Sequence, residues 1–170
     1  MLYIVALLVL VLDQVIKTVV KTHMALGQTI PLWPGVLDLQ FIRNPGAAWG
    51  MLGNARWFLV AVAVLVSAVV IWISRRYRLS AWNTVALGLV LGGALGNLWD
   101  RVATGTVVDY VYVEAIHFPV FNLADSAVCV GVAMLLLGSM RQESNRRDAG
   151  GVGSGDIAGD GRRPGEEPRS

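Results

Sequence analysis

One cysteine, Cys129, stands in a chain of 170 residues. It has no partner for an intramolecular disulfide and cannot belong to a CxxC metal site. Inside an apolar run it reads as a small packed thiol. Histidine is equally scarce. His23 and His117 lie far apart, without metal-ligand spacing, so neither a metal nor another cofactor is expected. Charge is thin as well: 15% of residues are charged, 55% are hydrophobic, and the net charge is +2. That balance excludes an ordinary soluble domain and indicates an integral membrane protein. The basic residues gather in two clusters, Arg75, Arg76 and Arg78, then Arg141, Arg146 and Arg147. Both clusters directly follow apolar runs. They read as the flanks of membrane spans rather than as a nucleic-acid stripe, and no nucleic-acid partner is expected.

Four runs approach the roughly 20 residues that cross a bilayer. They cover about 1–22, 57–74, 81–99 and 120–140. The first lacks a basic leader segment and no A-x-A-like cleavage site follows it, and it carries Asp13, Gln14 and Lys17 in its second half. It is therefore read as a retained span rather than a signal peptide. With arginines after spans two and four, those ends face the cytoplasm, both termini are cytoplasmic, and segments 23–56 and 100–119 lie outside. Trp57, Trp72, Trp82 and Trp99 fall near span ends, as interfacial aromatics do. The stretch 36–44, VLDLQFIRN, alternates Leu37, Leu39 and Phe41 with Asp38, Gln40 and Ile42, a strand pattern. The stretch 107–113, VVDYVYV, is rich in β-branched and aromatic residues. The expected fold is an all-α membrane protein of four transmembrane helices, with a small extracytoplasmic β element between spans one and two. Residues 1–141 form the membrane domain. The segment 142–170, poor in large apolar residues, is expected to be a disordered cytoplasmic tail.

The polar residues within these spans converge on one depth. Asn122, Asp125 and Ser126 share a helix face at the outer start of span four, and Asn97, Asp100 and Arg101 repeat that spacing at the outer end of span three. Asp13 and Lys17 form an i, i+4 pair in the outer half of span one, and Asp109 lies in the connection between spans three and four. Taken singly, each has a structural explanation: an ion pair, an interfacial anchor, or interhelical hydrogen bonding. Gathered at one depth, they require a cavity that solvates them. Asp109 and Asp125 are candidates for an acid–base pair, since two close carboxylates share a proton. A serine nucleophile at Ser126 with Lys17 as its base is the competing design, but Asp13 one turn away favours the charged form of that lysine. On the aspartyl reading, Ser126 donates a hydrogen bond that orients Asp125. A small transporter is the rival class. It predicts polar groups through the full membrane depth, whereas the inner halves of spans two and four are apolar apart from Ser67 and Ser74 in span two.

DQVIK (13–17), NPGAAWG (44–50), GGALGNLWDR (92–101), VVDY (107–110) and FNLADS (121–126) resemble, in order, motifs of the bacterial lipoprotein signal peptidases, signal peptidase II. The resemblance covers about residues 1–141. It implies a four-span aspartyl endopeptidase of the inner membrane, acting as a monomer at the outer face. Such an enzyme removes signal peptides from diacylglyceryl-modified prolipoproteins, cutting just before the lipidated cysteine while its substrate stays in contact with membrane lipid. It also implies that Asp109 and Asp125 are catalytic. Asp13, Lys17, Asn44, Gly46, Asn97, Asp100, Arg101, Asn122 and Ser126 then bind substrate or shape the site, with Arg101 placed to contact substrate carbonyls. Tyr110 and Trp49 stand where phenylalanine is common in the family. The tail after 141 matches nothing in the family.

Overall fold

The computed structural model describes residues 1–46 and 55–151. Trp49, the second half of NPGAAWG and the tail beyond 151 lie outside the described residues. Leu2–His23 forms α1, Arg56–Arg76 α2, Ala81–Thr104 α3 and Leu123–Gly151 α4. Each has a stretch long and apolar enough to cross a membrane; in α4 it is Leu123–Met140. The four helices therefore occupy the expected runs, with two shifted ends. Helix α3 runs past 99 to Thr104, so Asp100 and Arg101 are helical, and Gly105 stops it in a left-handed conformation at φ +84°. Helix α4 starts at 123 rather than 120, because Val120 and Phe121 belong to a strand. It also continues through part of the segment expected to be disordered. Residues 141–149 contain no glycine or proline, and Arg, Gln and Glu sustain a helix.

The strands are β1 (Thr29–Trp33), β2 (Leu37–Asn44), β3 (Val107–Val113) and β4 (Phe118–Phe121), in one antiparallel sheet of order β1-β2-β3-β4. The sheet is therefore not confined to the connection between α1 and α2, because the connection between α3 and α4 supplies its other half. A lone two-stranded hairpin is marginal in water, and β2 gains stability by pairing its second edge with β3. Asn44 lies opposite Val107, and Ile42 opposite Asp109. The expected strict alternation in β2 fails because the register shifts between Leu39 and Ile42; Asp38 is buried as well as Phe41.

Helix α3 is central. Half of its most apolar window (50%) is buried, against 22% or less for the other three. Small residues permit this. Gly88 and Gly92 lie against Leu2, Val5, Ala6 and Val9 of α1, so α1 and α3 run parallel, while Gly93 meets Ala124 and Gly131 meets Ala86, so α3 and α4 run antiparallel. One apolar cluster, including Leu2, Ala6, Val70, Leu87 and Leu91, fills the end away from the sheet. A second, Val20, Phe41, Val108 and Tyr110, joins the end of α1 to the sheet. Buried Asp13 and Lys17 fall between the two on the same face of α1.

Candidate active site

Two elements of opposite kind bring the paired carboxylates together. Asp125 comes from the first turn of α4, which a reciprocal cap starts. The Asn122 side-chain oxygen accepts from the Asp125 backbone N–H at 3.0 Å, and the Asn122 backbone N–H donates to Asp125 Oδ2 at 3.2 Å. Asp109 comes from β3, is only 2% exposed, and accepts from Asn44 Nδ2 at 2.9 Å and from Asn122 Nδ2 at 2.6 Å. Asn122 thus bonds to both aspartates. Asn97 of α3 completes the coordination of Asp125, donating from Nδ2 to Oδ1 at 2.7 Å. Burial pushes the Asp109 carboxyl up to about 6, and the nearby charge of Asp125 adds to the rise against the opposing bonds from Asn44 and Asn122.

Both aspartates line one cavity of about 540 Å³, together with Asn44, Gly46, Arg101 and Ser126. Its remaining walls are mostly apolar, from β4 and from Val128, Cys129 and Val130 of α4. Arg101 donates to the Gly46 carbonyl at 3.1 Å, and the Gly46 N–H donates to the Asn44 side-chain oxygen at 2.9 Å. Five polar side chains, two of them carboxylates able to exchange protons, and an apolar wall in one cleft suit an amphiphilic chain. A larger groove of about 810 Å³ between α1 and α3 is lined almost wholly by apolar side chains such as Leu10, Val11 and Leu98, and no carboxylate lines it.

Behind the cavity wall lies a buried ion cluster. Lys17 Nζ, fully buried, contacts Asp13 Oδ2 at 2.8 Å and Asp100 Oδ2 at 2.9 Å, and donates to Asn97 Oδ1 at 2.9 Å. The two carboxylates reach the backbone beside the candidate catalytic residues: Asp13 accepts from the Ala124 N–H at 3.1 Å and Asp100 from the Val108 N–H at 3.3 Å.

All eleven residues singled out from the sequence meet at this end of the bundle, in two layers. Asn44, Gly46, Arg101, Asp109, Asp125 and Ser126 line the cavity, whereas Asp13, Lys17, Asn97, Asp100 and Asn122 form the lattice behind it. The expected role of Ser126 is corrected. Its hydroxyl donates to the Asn122 carbonyl at 3.1 Å and not to Asp125. That is the ordinary back-bond of a helical serine to the carbonyl one turn earlier, which also accepts from the Ser126 backbone N–H at 3.2 Å. The serine–lysine design also loses its base, because the three N–H donors of Lys17 are directed at Asp13, Asp100 and Asn97. Two members escaped the sequence reading. Gln14 donates to Asp13, Asp100 and the Gly96 carbonyl, each at 3.2 Å. Its signal was available, since an amide inside a span needs a partner. The Tyr110 hydroxyl accepts from the Leu123 N–H at 3.1 Å and ties β3 to the start of α4. Nothing in the spacing of the sequence marks that bond.

The raised carboxyl of Asp109 makes stability depend on pH. It keeps its proton up to about 6 in the folded chain, against 3.8 ordinarily. Between those values the unfolded chain binds fewer protons, so stability falls as pH rises from about 4 to about 6 and is level on either side. The whole change is at most about 3 kcal/mol. In detergent, the unfolding midpoint of wild type is expected to fall relative to that of Asp109→Asn across this window. A difference that stays constant from about pH 4 to about pH 6 would contradict the raised carboxyl.

The family model described as "Signal peptidase (SPase) II" matches residues 5–141. A lipoprotein signal peptidase of Symbiobacterium thermophilum is 49% identical over 135 residues, covering 78% of this chain and 89% of that protein. One of Halalkalibacterium halodurans is 44% identical over 144 residues, covering 83% of this chain and 92% of that protein. Among solved structures, a bacterial membrane enzyme determined by the in meso method at 2.3 Å resolution superposes with a TM-score of 0.79 at 32% identity, covering 84% of this chain and 88% of that one.

Proposed function

The chain belongs to the signal peptidase II family, and from that membership we propose that it is an aspartyl endopeptidase removing signal peptides from diacylglyceryl-modified prolipoproteins. One observation carries the chemical part of this reading: Asp109 and Asp125 line one cavity and are both bonded to Asn122. Asp109, whose carboxyl burial raises to about 6, is the acid, and Asp125 is the base. Asp125 takes a proton from a water whose oxygen bonds to the scissile carbonyl carbon, while Asp109 gives its proton to the carbonyl oxygen. The resulting diol collapses as the C–N bond breaks. The leaving nitrogen takes the proton from Asp125, and a diol hydroxyl returns one to Asp109.

Cleavage falls just before the lipidated cysteine, and the apolar wall keeps the diacylglyceryl group on the lipid side. Arg101, already donating to one backbone carbonyl at the cavity edge, has further N–H groups for carbonyls of the bound peptide. The apolar cluster around Leu2, Val70 and Leu91 beneath the polar layer argues against a transport path through the bundle. Purified protein incubated with a diacylglyceryl-modified prolipoprotein is expected to release the signal peptide and leave the lipidated cysteine at the new amino terminus. Recovery of the precursor intact would refute the reading.

The arginines at the C-terminal end of α2 and beyond Met140 support an orientation with both termini in the cytoplasm and the sheet outside. Reporter fusions after Arg78 and after Arg141 are expected to read as cytoplasmic. Fusions near residues 30 and 112 are expected to read as external, and an external signal after Arg78 would invert the arrangement.

A further inference from the structure

Lys17 hydrogen-bonds to neither Asp109 nor Asp125 and does not line the cavity, yet its chemistry decides what both carboxylates face. An ammonium has three N–H donors and no acceptor, whereas an amide has an accepting end and a donating end. The atom of Asn97 that meets Lys17 at 2.9 Å must therefore be its oxygen, which leaves Nδ2 to donate to Asp125 Oδ1 at 2.7 Å. The same Asn97 oxygen accepts from Asn122 Nδ2 at 3.1 Å. That contact fixes the second amide: Asn122 Nδ2 donates also to Asp109 Oδ1 at 2.6 Å, and its oxygen accepts from the Asp125 N–H at 3.0 Å.

We infer that Lys17 is a positioning residue: one buried cation sets the direction of the Asn97 and Asn122 amides and thereby presents N–H donors to both aspartates. Without it, Asn97 can turn over and aim its oxygen at Asp125, where two acceptors repel. The carboxylates that hold the cation act on the backbone too, since Ala124 immediately precedes Asp125 and Val108 immediately precedes Asp109. The inference rests on the reading of Asp109 and Asp125 as the acid–base pair.

Removing Lys17 alone would leave Asp13 and Asp100 facing each other without their shared cation, so the test removes it together with one carboxylate. The full chain carrying Lys17→Met with Asp100→Asn, or Lys17→Met with Asp13→Asn, keeps the net charge of the cluster. In either folded double variant kcat is expected to fall on the order of a hundredfold, with KM within about threefold of wild type. A folded double variant with kcat within about fivefold of wild type would overturn the inference. Asp125→Asn is assayed alongside. If it still cleaves, the acid–base reading fails and takes the inference with it; if it is inactive while a folded double variant retains kcat, the inference alone fails. Should neither double variant fold, the wild-type chain labelled with ¹⁵N-asparagine decides. The side-chain amide protons of Asn97 and Asn122 are expected to exchange slowly and to shift together as the aspartates titrate, whereas rapid exchange at Asn97 would overturn the inference.

Discussion

Asp109→Asn and Asp125→Asn are each expected to lower the rate of cleavage by 10²- to 10⁴-fold, the usual contribution of a positioned acid or base. Asparagine keeps the shape of the side chain and an oxygen that can accept from Asn44, Asn122 or Asn97, but it cannot exchange a proton at neutral pH. If the two carboxylates act on one reaction, the double variant should be little slower than either single one. Multiplied losses in the double variant would mean that the residues act independently. Ser126→Ala is the contrasting change. It deletes a bond to a carbonyl of the same helix, so it should cost about 1 kcal/mol, or several-fold in rate. Cleavage is compared in protein shown to reach the membrane at wild-type levels. An inactive Ser126→Ala beside a working Asp→Asn variant would sink the aspartyl assignment.

Local spacing carried much of this site into the sequence, and distant packing carried the rest. The Asp13–Lys17 ion pair and the Asn122–Asp125 cap are both visible as residues three or four apart, because a helix turns one face every 3.6 residues. The third member of the ion cluster, Asp100, lies 83 positions from Lys17, and only the close parallel packing of α1 on α3 brings it there. The shared sheet was half legible for a related reason. The strand character of 107–113 shows in its composition, but that β3 pairs with β2 depends on four helices returning both connections to one end. Gln14 and Tyr110 were missed because each acts through bonds to another element, Gly96 and Leu123, and no periodicity predicts those.

If helix packing sets the geometry of the pair, a change that touches neither aspartate should still disable it, and Gly93→Val is the sharpest case. A Cβ built on Gly93 overlaps the backbone carbonyl of Ala124, the residue just before Asp125. No side-chain rotation relieves a clash with backbone, so α3 and α4 must separate or shift. Overpacking of this kind costs about 1–3 kcal/mol or more. A displacement of about 1 Å at the start of α4 is enough to lower the rate on the order of a hundredfold. Gly138→Ala on α4 is the matched control. Its added Cβ would meet Asn83 and Trp82 side chains at 3.1 and 3.2 Å, which can yield. The expected result is a lower unfolding midpoint and near-complete loss of cleavage for Gly93→Val, with both properties close to wild type for Gly138→Ala. Normal cleavage by Gly93→Val would show that the aspartate geometry does not depend on the close approach of α3 to α4.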